Sequence, residues 1–256
     1  MTTADRAQTL QRLHEEAEIL QVVNVWDPIS TKVVAAHPAT RAIATAGHSI
    51  AASHGYKDGE IPRDLMLEAV ARVVAATDLP VTADLDDGYG DPGETIRRAI
   101  GIGVVGANVE DRMRPLADSV RAVEAIVAAG EAEGVAFQLN ARTDAVLKGG
   151  DRPMSEKLDE AVRRGRAFLD AGASLVFVPG KLDRESTTRL VDGLGRGNLS
   201  VIGVPGALSA KEYEELGVAR ISYGPWTQRY ALSALERITS SLYEGGVIPA
   251  ETKALT

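Results

Sequence analysis

The sequence predicts an α/β fold: a (β/α)8 TIM barrel with an extra N-terminal helix and a long C-terminal helix. Three observations carry this reading. Short apolar runs alternate with amphipathic runs about eight times, and strands alternating with helices imply a parallel sheet. The length, 256 residues, suits one closed barrel. Charged and polar residues fall repeatedly where the apolar runs end, and a barrel carries its active residues at those strand ends. A doubly wound open sheet is the alternative arrangement of the same units.

A polar helix over residues 3–18 leads the chain. The first strand is ILQVVNVW, residues 19–26. The next helix opens at DPIS, where Asp27 suits the N-cap and Pro28 the first turn. The second strand is AIATAGH, residues 42–48, followed by a polar loop, SIAASHGYKDGEIP, and the helix RDLMLEAVARVVAAT. PVTADLD is the third strand, with a helix near residues 92–102. GANVED, residues 106–111, is the fourth, with LADSVRAVEAIVAAGEAEG as its helix. AFQLNART, residues 136–143, is the fifth, followed by MSEKLDEAVRRGRAFLDAG. SLVFVPG, LSVIGVPG and ARISYG are the last three strands. Their helices are expected near residues 185–194, in SAKEYEELG, and over residues 226–243. No break in composition divides the chain, so residues 1–256 read as one domain. Residues 245–256 read as a loose tail or an arm onto a neighbour.

Aromatic residues are only 4% of the chain, so Ala, Val, Leu and Ile must pack the core. The net charge of −8 argues against nucleic acid or an anionic membrane as partner. With no cysteine, disulfides, thiolate zinc sites and a cysteine nucleophile or base are excluded. No apolar signal segment or membrane span is legible, and a cytoplasmic location is expected.

The densest chemistry lies in VTADLDDGYGDPGET, residues 81–95, where an apolar strand runs into Asp84, Asp86 and Asp87. Crowded carboxylates repel one another unless something positive sits among them. Asp84 and Asp86, two apart on a strand, are expected on one face. Glu110 and Asp111 end the fourth strand, Arg142 and Asp144 follow Asn140 at the end of the fifth, and Asp58 lies in the loop after the second. Converging carboxylates without sulfur or imidazole suit a hard cation. Mg2+ fits best, and Mn2+ can substitute. Asp87 and Asp91 read as turn and cap residues. Asp144 either pairs with Arg142 or caps a turn. His14 and His37 read as surface helix residues, while His48 and His54 flank the second-strand loop. GVPGALS resembles a phosphate loop only weakly, and Trp226 reads as a packing residue.

These motifs resemble the phosphoenolpyruvate mutase/isocitrate lyase superfamily. DLDDGYGD is similar to its D-x-D-x-G-Y-G signature, and VNVWDPISTKV, AGHSIAASHGYKDG, NVED and LNARTDA are similar to its other strand-end motifs, in the same order. The resemblance implies Asp84 as a direct Mg2+ ligand, with Asp58, Asp86 and Glu110 holding the metal's waters. It implies that backbone N–H groups at Gly47 and His48 grip the substrate carboxylate, and that Arg142 neutralises the enolate oxygen. Asp58 and His48 join Arg142 as catalytic candidates. It also implies a homo-oligomer, a tetramer, with the last helix exchanged between neighbours.

Three departures shape the functional expectation. The family's lyases use a cysteine as acid/base, and none exists here. The mutases carry a long gating loop after the glutamate strand, whereas VEDRMRPLADSV passes almost directly into a helix. The small hydroxyl residue the mutases place before the glycine of the second-strand loop is Ala46 here. A Mg2+-dependent lyase or decarboxylase of a small 2-oxo-carboxylate, acting through an enolpyruvate, is the leading expectation. A P–C bond mutase or hydrolase using Arg112 and Arg114, and a catalytically inactive dicarboxylate-binding barrel, are the alternatives.

Overall fold

All strand ladders in the computed structural model, which describes residues 1–254, are parallel. The chain runs α1 (Thr3–Glu15), β1 (Leu20–Val22), β2 (Asn24–Val25), α2 (Pro28–Ala35), β3 (Ile43–Thr45), α3 (Gly47–Ser53), α4 (Arg63–Val74), β4 (Val81–Asp84) and α5 (Pro92–Gly101). It continues through β5 (Gly106–Glu110), α6 (Leu116–Ala132), β6 (Gln138–Arg142), α7 (Met154–Asp170), β7 (Leu175–Phe177), α8 (Arg184–Leu194), β8 (Leu199–Ile202), α9 (Ala210–Leu216), β9 (Arg220–Ser222) and α10 (Trp226–Tyr243).

The predicted first strand is two. β1 pairs with β9 and β2 pairs with β3, with Val23 between them. One extended segment therefore bridges the two ends of the sheet and brings it into a barrel, and its change of neighbours reflects the stagger that strands need to wrap round an axis. Asn24 fastens this seam. Its Oδ1 accepts the N–H groups of Tyr223 (2.7 Å) and Gly224 (2.8 Å), and its Nδ2 donates to the Thr45 carbonyl (2.9 Å).

Helix starts follow local chemistry. Asp27 caps α2 with Pro28 in its first turn, Asp91 caps α5, and Ser209 with Glu212 forms a capping box on α9. The second strand is shorter than expected, because the chain turns at Ala46 and enters α3 at Gly47, within the segment expected as strand end and polar loop. β4 ends at Asp84, and Asp86 sits in the following turn with φ 49°. The same-face argument for the two carboxylates therefore does not apply.

α1 covers the N-terminal end of the strands, with Ala7, Leu10, Leu13 and His14 turned inward. Leu10 packs close enough to Gly106 that a Cβ there would meet its Cδ2 at 2.9 Å. His14, expected at the surface, is buried 3.4 Å from the Gln138 side chain. Burial, helped by the charge of Arg220, holds its imidazole down to about 3, so it is neutral. His37 lies exposed just past α2. Among the described residues α10 buries only Gln228, while Tyr230, Leu232, Leu235 and Leu242 are exposed. Residues 245–254 carry no helix or strand; Leu255 and Thr256, the end of the expected tail, lie outside the described residues.

Truncation of the α1 plug tests this packing. Leu10→Ala is expected to cost about 2–5 kcal/mol in urea denaturation, whereas Ile248→Ala, in the exposed tail, should change stability by less than about 0.5 kcal/mol.

Candidate active site

At the C-terminal mouth of the barrel lies a cavity of about 610 Å3. Its wall includes His48, Asp58, Asp84, Asp86, Glu110 and Arg142, so every predicted site side chain reaches one space. Asp84 comes from the end of β4, Glu110 from β5 and Arg142 from β6, on adjacent strands. Asp86 joins them through its left-handed turn, held there by a 2.8 Å hydrogen bond from the Tyr89 hydroxyl.

The acidic pole is electrostatically costly. Burial first, and then the charge of Asp86, push the Asp84 carboxyl up to about 7, against the pull of Arg142 and the Gly47 amide. Burial also raises Asp86, with Asp58 adding to the shift and Tyr89 opposing it. The Gly47 N–H donates to Asp84 Oδ2 at 3.0 Å, and a Cβ on Gly47 would stand 3.1 Å from that oxygen. Gly47 thus positions the carboxylate, and its amide is not free. His48 Nδ1 lies 3.6 Å from Asp58 Oδ2.

The cationic pole is a network. Arg142 contacts Asp144 through Nε and Nη2, each at 2.8 Å, and Glu110 through Nη2 at 2.9 Å. Burial opposes the Arg142 charge, but Asp144, Glu110 and Asp84 outweigh it and strengthen its hold on the proton. Asp144 is fully buried and also pairs with Lys148 at 2.5 Å, so it acts as the orienting partner of Arg142. Glu110 is raised by burial despite Arg142, Lys148 and Arg112 around it. Asp111 is structural. It accepts the Met113 and Asp144 amides and pairs with the buried Arg164 of α7 at 3.2 Å.

The connection from β5 to α6 is short, residues 111–115, as the sequence predicts. Arg112 and Met113 both have positive φ. Arg112 lines the cavity while bonded to Glu110 (3.0 Å) and 3.4 Å from Asp87. Arg114 instead pairs with Asp87 and does not line the cavity. Among the described residues all four non-glycine positive φ values, at Asp86, Tyr89, Arg112 and Met113, fall in the two loops over the site, where strained backbone commonly serves function.

The donor set fits a hard divalent cation. Five carboxylates (Asp58, Glu60, Asp84, Asp86 and Glu110) and four cations (Arg112, Arg142, Lys148 and Arg229) line the cavity. The balance is −1, and a divalent ion makes it +1. Among the described residues no three His, Asp or Glu side chains stand close enough together to hold a metal ion by themselves. Mg2+ keeps several waters and needs few protein ligands, so Asp84 with Asp58, Asp86 and Glu110 would be the residues to hold it.

Other sequence candidates fall elsewhere. His54 is exposed and bonds its own helix at Ile50. The GVPGALS segment lines a separate, largely apolar groove with Trp226 and Tyr230. Trp226 packs under the Arg229 guanidinium, 4.7 Å away. Sequence reasoning missed Asn24, Asn108, Lys148 and Arg229, which line the cavity, and the fully buried Arg220, which reaches Asn108 at 3.3 Å from below. Asn24 and Asn108 carried a signal, as polar residues inside apolar strand ends. Lys148 and Arg229, in a loop and a helix, carried none.

Residues 10–243 match the family profile described as phosphoenolpyruvate phosphomutase. The chain is similar to a solved structure from Burkholderia cenocepacia, provisionally named a phosphonomutase, with 35% identity, a TM-score of 0.86, and coverage of 92% of this chain and 99% of that one. It is 26% identical to 2-methylisocitrate lyase of Bacillus subtilis over 92% of this chain and 81% of that protein. It is 25% identical to the solved 2,3-dimethylmalate lyase, with a TM-score of 0.84 over 97% of this chain and 91% of the other. A parallel barrel with the carboxylates and Arg142 gathered at its C-terminal mouth, and a profile match over most of its length, agree: the chain belongs to the phosphoenolpyruvate mutase/isocitrate lyase superfamily, whose members are lyases and mutases.

Proposed function

We propose that the protein is a Mg2+-dependent lyase or decarboxylase that acts on a small 2-oxo-carboxylate, such as oxaloacetate, through an enolpyruvate-type intermediate. The observation that carries this reading is the half-buried Asp84–Asp86 pair and the Asp144-oriented Arg142 lining one cavity. In it, Asp84 would hold the cation directly, and Asp58, Asp86 and Glu110 would hold its waters. The bound ion supplies Lewis-acid stabilisation of negative charge. Arg142 lies against the oxygen where charge grows as the bond beyond C3 breaks. The amides of Gly47 and His48 take the substrate carboxylate, the former shared with Asp84. His48, the cavity's imidazole, with Asp58 beside it, handles the proton that a cysteine cannot. The lyase names of two relatives favour carbon–carbon chemistry. A P–C bond reading draws on Arg112 at the cavity wall.

The same reading carries a cytoplasmic location and small-molecule partners. Among the described residues no helix is long and apolar enough to cross a membrane. The uncovered stripe of α10 supports a homo-oligomer, a tetramer, in which that stripe meets a neighbour. Light scattering should give a mass above the monomer. A concentration-independent monomer would sink the assembly.

Arg142→Ala should lower turnover about a hundredfold or more, roughly 3 kcal/mol, and Arg142→Lys should not restore it fully, because an ammonium lacks the planar fork. Proton and phosphorus NMR of the Mg2+-loaded protein with oxaloacetate, phosphonopyruvate and phosphoenolpyruvate separates the readings. Pyruvate formed from oxaloacetate above the Mg2+-only background, and lost in Arg142→Ala, is the expected result. Interconversion of the two phosphorus compounds would replace it with the mutase.

Proton and metal should compete at Asp84. A carboxyl raised above its unfolded value binds its proton more tightly when folded, so metal-free stability falls as pH rises from about 4 towards 7. At about 1.4 kcal/mol per pH unit, the loss is at most about 4 kcal/mol. Mg2+ should therefore raise the melting temperature little near pH 5 and strongly near pH 8. Asp84→Asn should flatten the pH dependence and abolish the Mg2+ effect. A Mg2+ shift that survives in this variant would remove Asp84 as the ligand.

A further inference from the structure

The floor of the cavity carries an amide whose direction is set from below. Asn108 lines the cavity, and its Oδ1 accepts from Asn140 Nδ2 at 2.7 Å and from Arg220 Nη1 at 3.3 Å. The Arg220 guanidinium has donors and no acceptor, so the atom of Asn108 that faces it must be the oxygen. Asn140 then has to turn its Nδ2 to that same oxygen, and it also donates to Ser200 Oγ at 3.1 Å. An Asn108 amide turned the other way would set donor against donor at both contacts. Its nitrogen is therefore left for the cavity. Among the described residues Asn108 Nδ2 has no partner, and it is not sealed in protein as the idle Nε and Nη2 of Arg220 are.

The register places this donor between the two groups on which the chemistry turns. Asn108 of β5 pairs with Asp84 of β4 on one side and with Asn140 of β6 on the other. Arg142 follows two residues after Asn140, on the same face of β6. A substrate oxygen addressed both by an ion at Asp84 and by Arg142 lies above the strand that carries Asn108. Arg142 is shared with Asp144 and Glu110, whereas the Asn108 nitrogen is committed to no protein group.

We propose that Asn108 is a further catalytic residue, whose Nδ2 donates a hydrogen bond to the 2-oxo oxygen of the substrate and holds it as the enolate forms. Arg220 is the positioning residue that keeps the amide turned that way. This rests on the reading above, in which the 2-oxo-carboxylate head lies at Asp84 and Arg142. A hydrogen bond to a charged oxygen is about twice as strong as one to a neutral oxygen. The hold of Asn108 therefore tightens as charge moves from the breaking bond onto the oxygen, which favours the transition state over the bound substrate. A donor fixed beforehand by its own network needs no reorganisation at that moment.

Titration calorimetry of the Mg2+-loaded protein with oxalate and pyruvate tests this, because oxalate presents an anionic oxygen where pyruvate presents a neutral keto oxygen. In Asn108→Ala the affinity for oxalate should fall about tenfold or more, that for pyruvate less than about threefold, and that for Mg2+ alone less than about twofold. Asn108→Asp keeps an acceptor for Arg220 and Asn140, so it should fold, which its thermal melt verifies. It should also lose the preference for oxalate, since an oxygen replaces the donor. Arg220→Gln, whose amide can accept as well as donate, should lower the oxalate preference, and adding it to Asn108→Ala should cost nothing further. An oxalate preference that survives in the Asn108 variants, an equal loss for both acids, or a loss of Mg2+ affinity that accounts for it would overturn the role of Asn108 and leave the head-group reading standing. Additive losses in the two variants would overturn the positioning by Arg220. Failure of the wild-type protein to bind either acid would overturn this inference and the reading above together.

Discussion

Two half-buried carboxylates at the mouth of a barrel, coupled to one another, set the terms for the rest of the site. Asp84 and Asp86 each raise the cost of the other's charge, and burial amplifies it. Several local features bear on that cost: the Gly47 amide on Asp84, the Tyr89 hydroxyl on Asp86, and the left-handed backbone at Asp86 and Tyr89. None supplies a full positive charge. The compensation comes from beyond the pair, from Arg142 across the cavity and, on our reading, from a divalent ion.

Arg142 is held by carboxylates other than Asp84. Asp144 and Glu110 hold the guanidinium, and Lys148 engages Asp144 in turn. Asp111 then ties the loops after β5 and β6 to α7 through Arg164. The brevity of the β5–α6 connection follows the same economy: Arg112 and Met113 adopt left-handed backbone to make the turn, and Arg112 reaches both Glu110 and Asp87. With no long segment there, the cavity mouth is shaped by short loops and the start of α10.

Below the cavity the barrel interior is polar. Asn108, Asn140, Ser200 and Arg220 come from β5, β6, β8 and β9 and bond among themselves. Arg220 is buried, and desolvation lowers its hold on its proton to about 10, with Asp84 above it favouring the charge. Burial first, and then the charge of Arg220, keep His14 neutral at the other end of the barrel. This layer joins the site to the α1 plug through side chains whose importance lies in what surrounds them.

The sequence by itself determined the alternation of strands and helices, the parallel barrel, and the strand ends that carry Asp84, Glu110 and Arg142, because hydrophobic period and cap chemistry are local and survive without tertiary context. It also determined the short β5–α6 connection. Only the tertiary structure decided what depends on closure of the ring: the division of the first strand between β9 and β3, the burial of His14 and Arg220, and the choice of Asp144 as the partner of Arg142. Asp86 shows the limit most clearly. A period of two places it beside Asp84 on a strand, yet the backbone turns left-handed at that residue, and the two carboxylates meet because a turn folds back over the mouth. Lys148 and Arg229 lie in a loop and a helix whose sequences carry no catalytic pattern, and their place at the cavity exists only because strands far apart in the chain become neighbours around one axis.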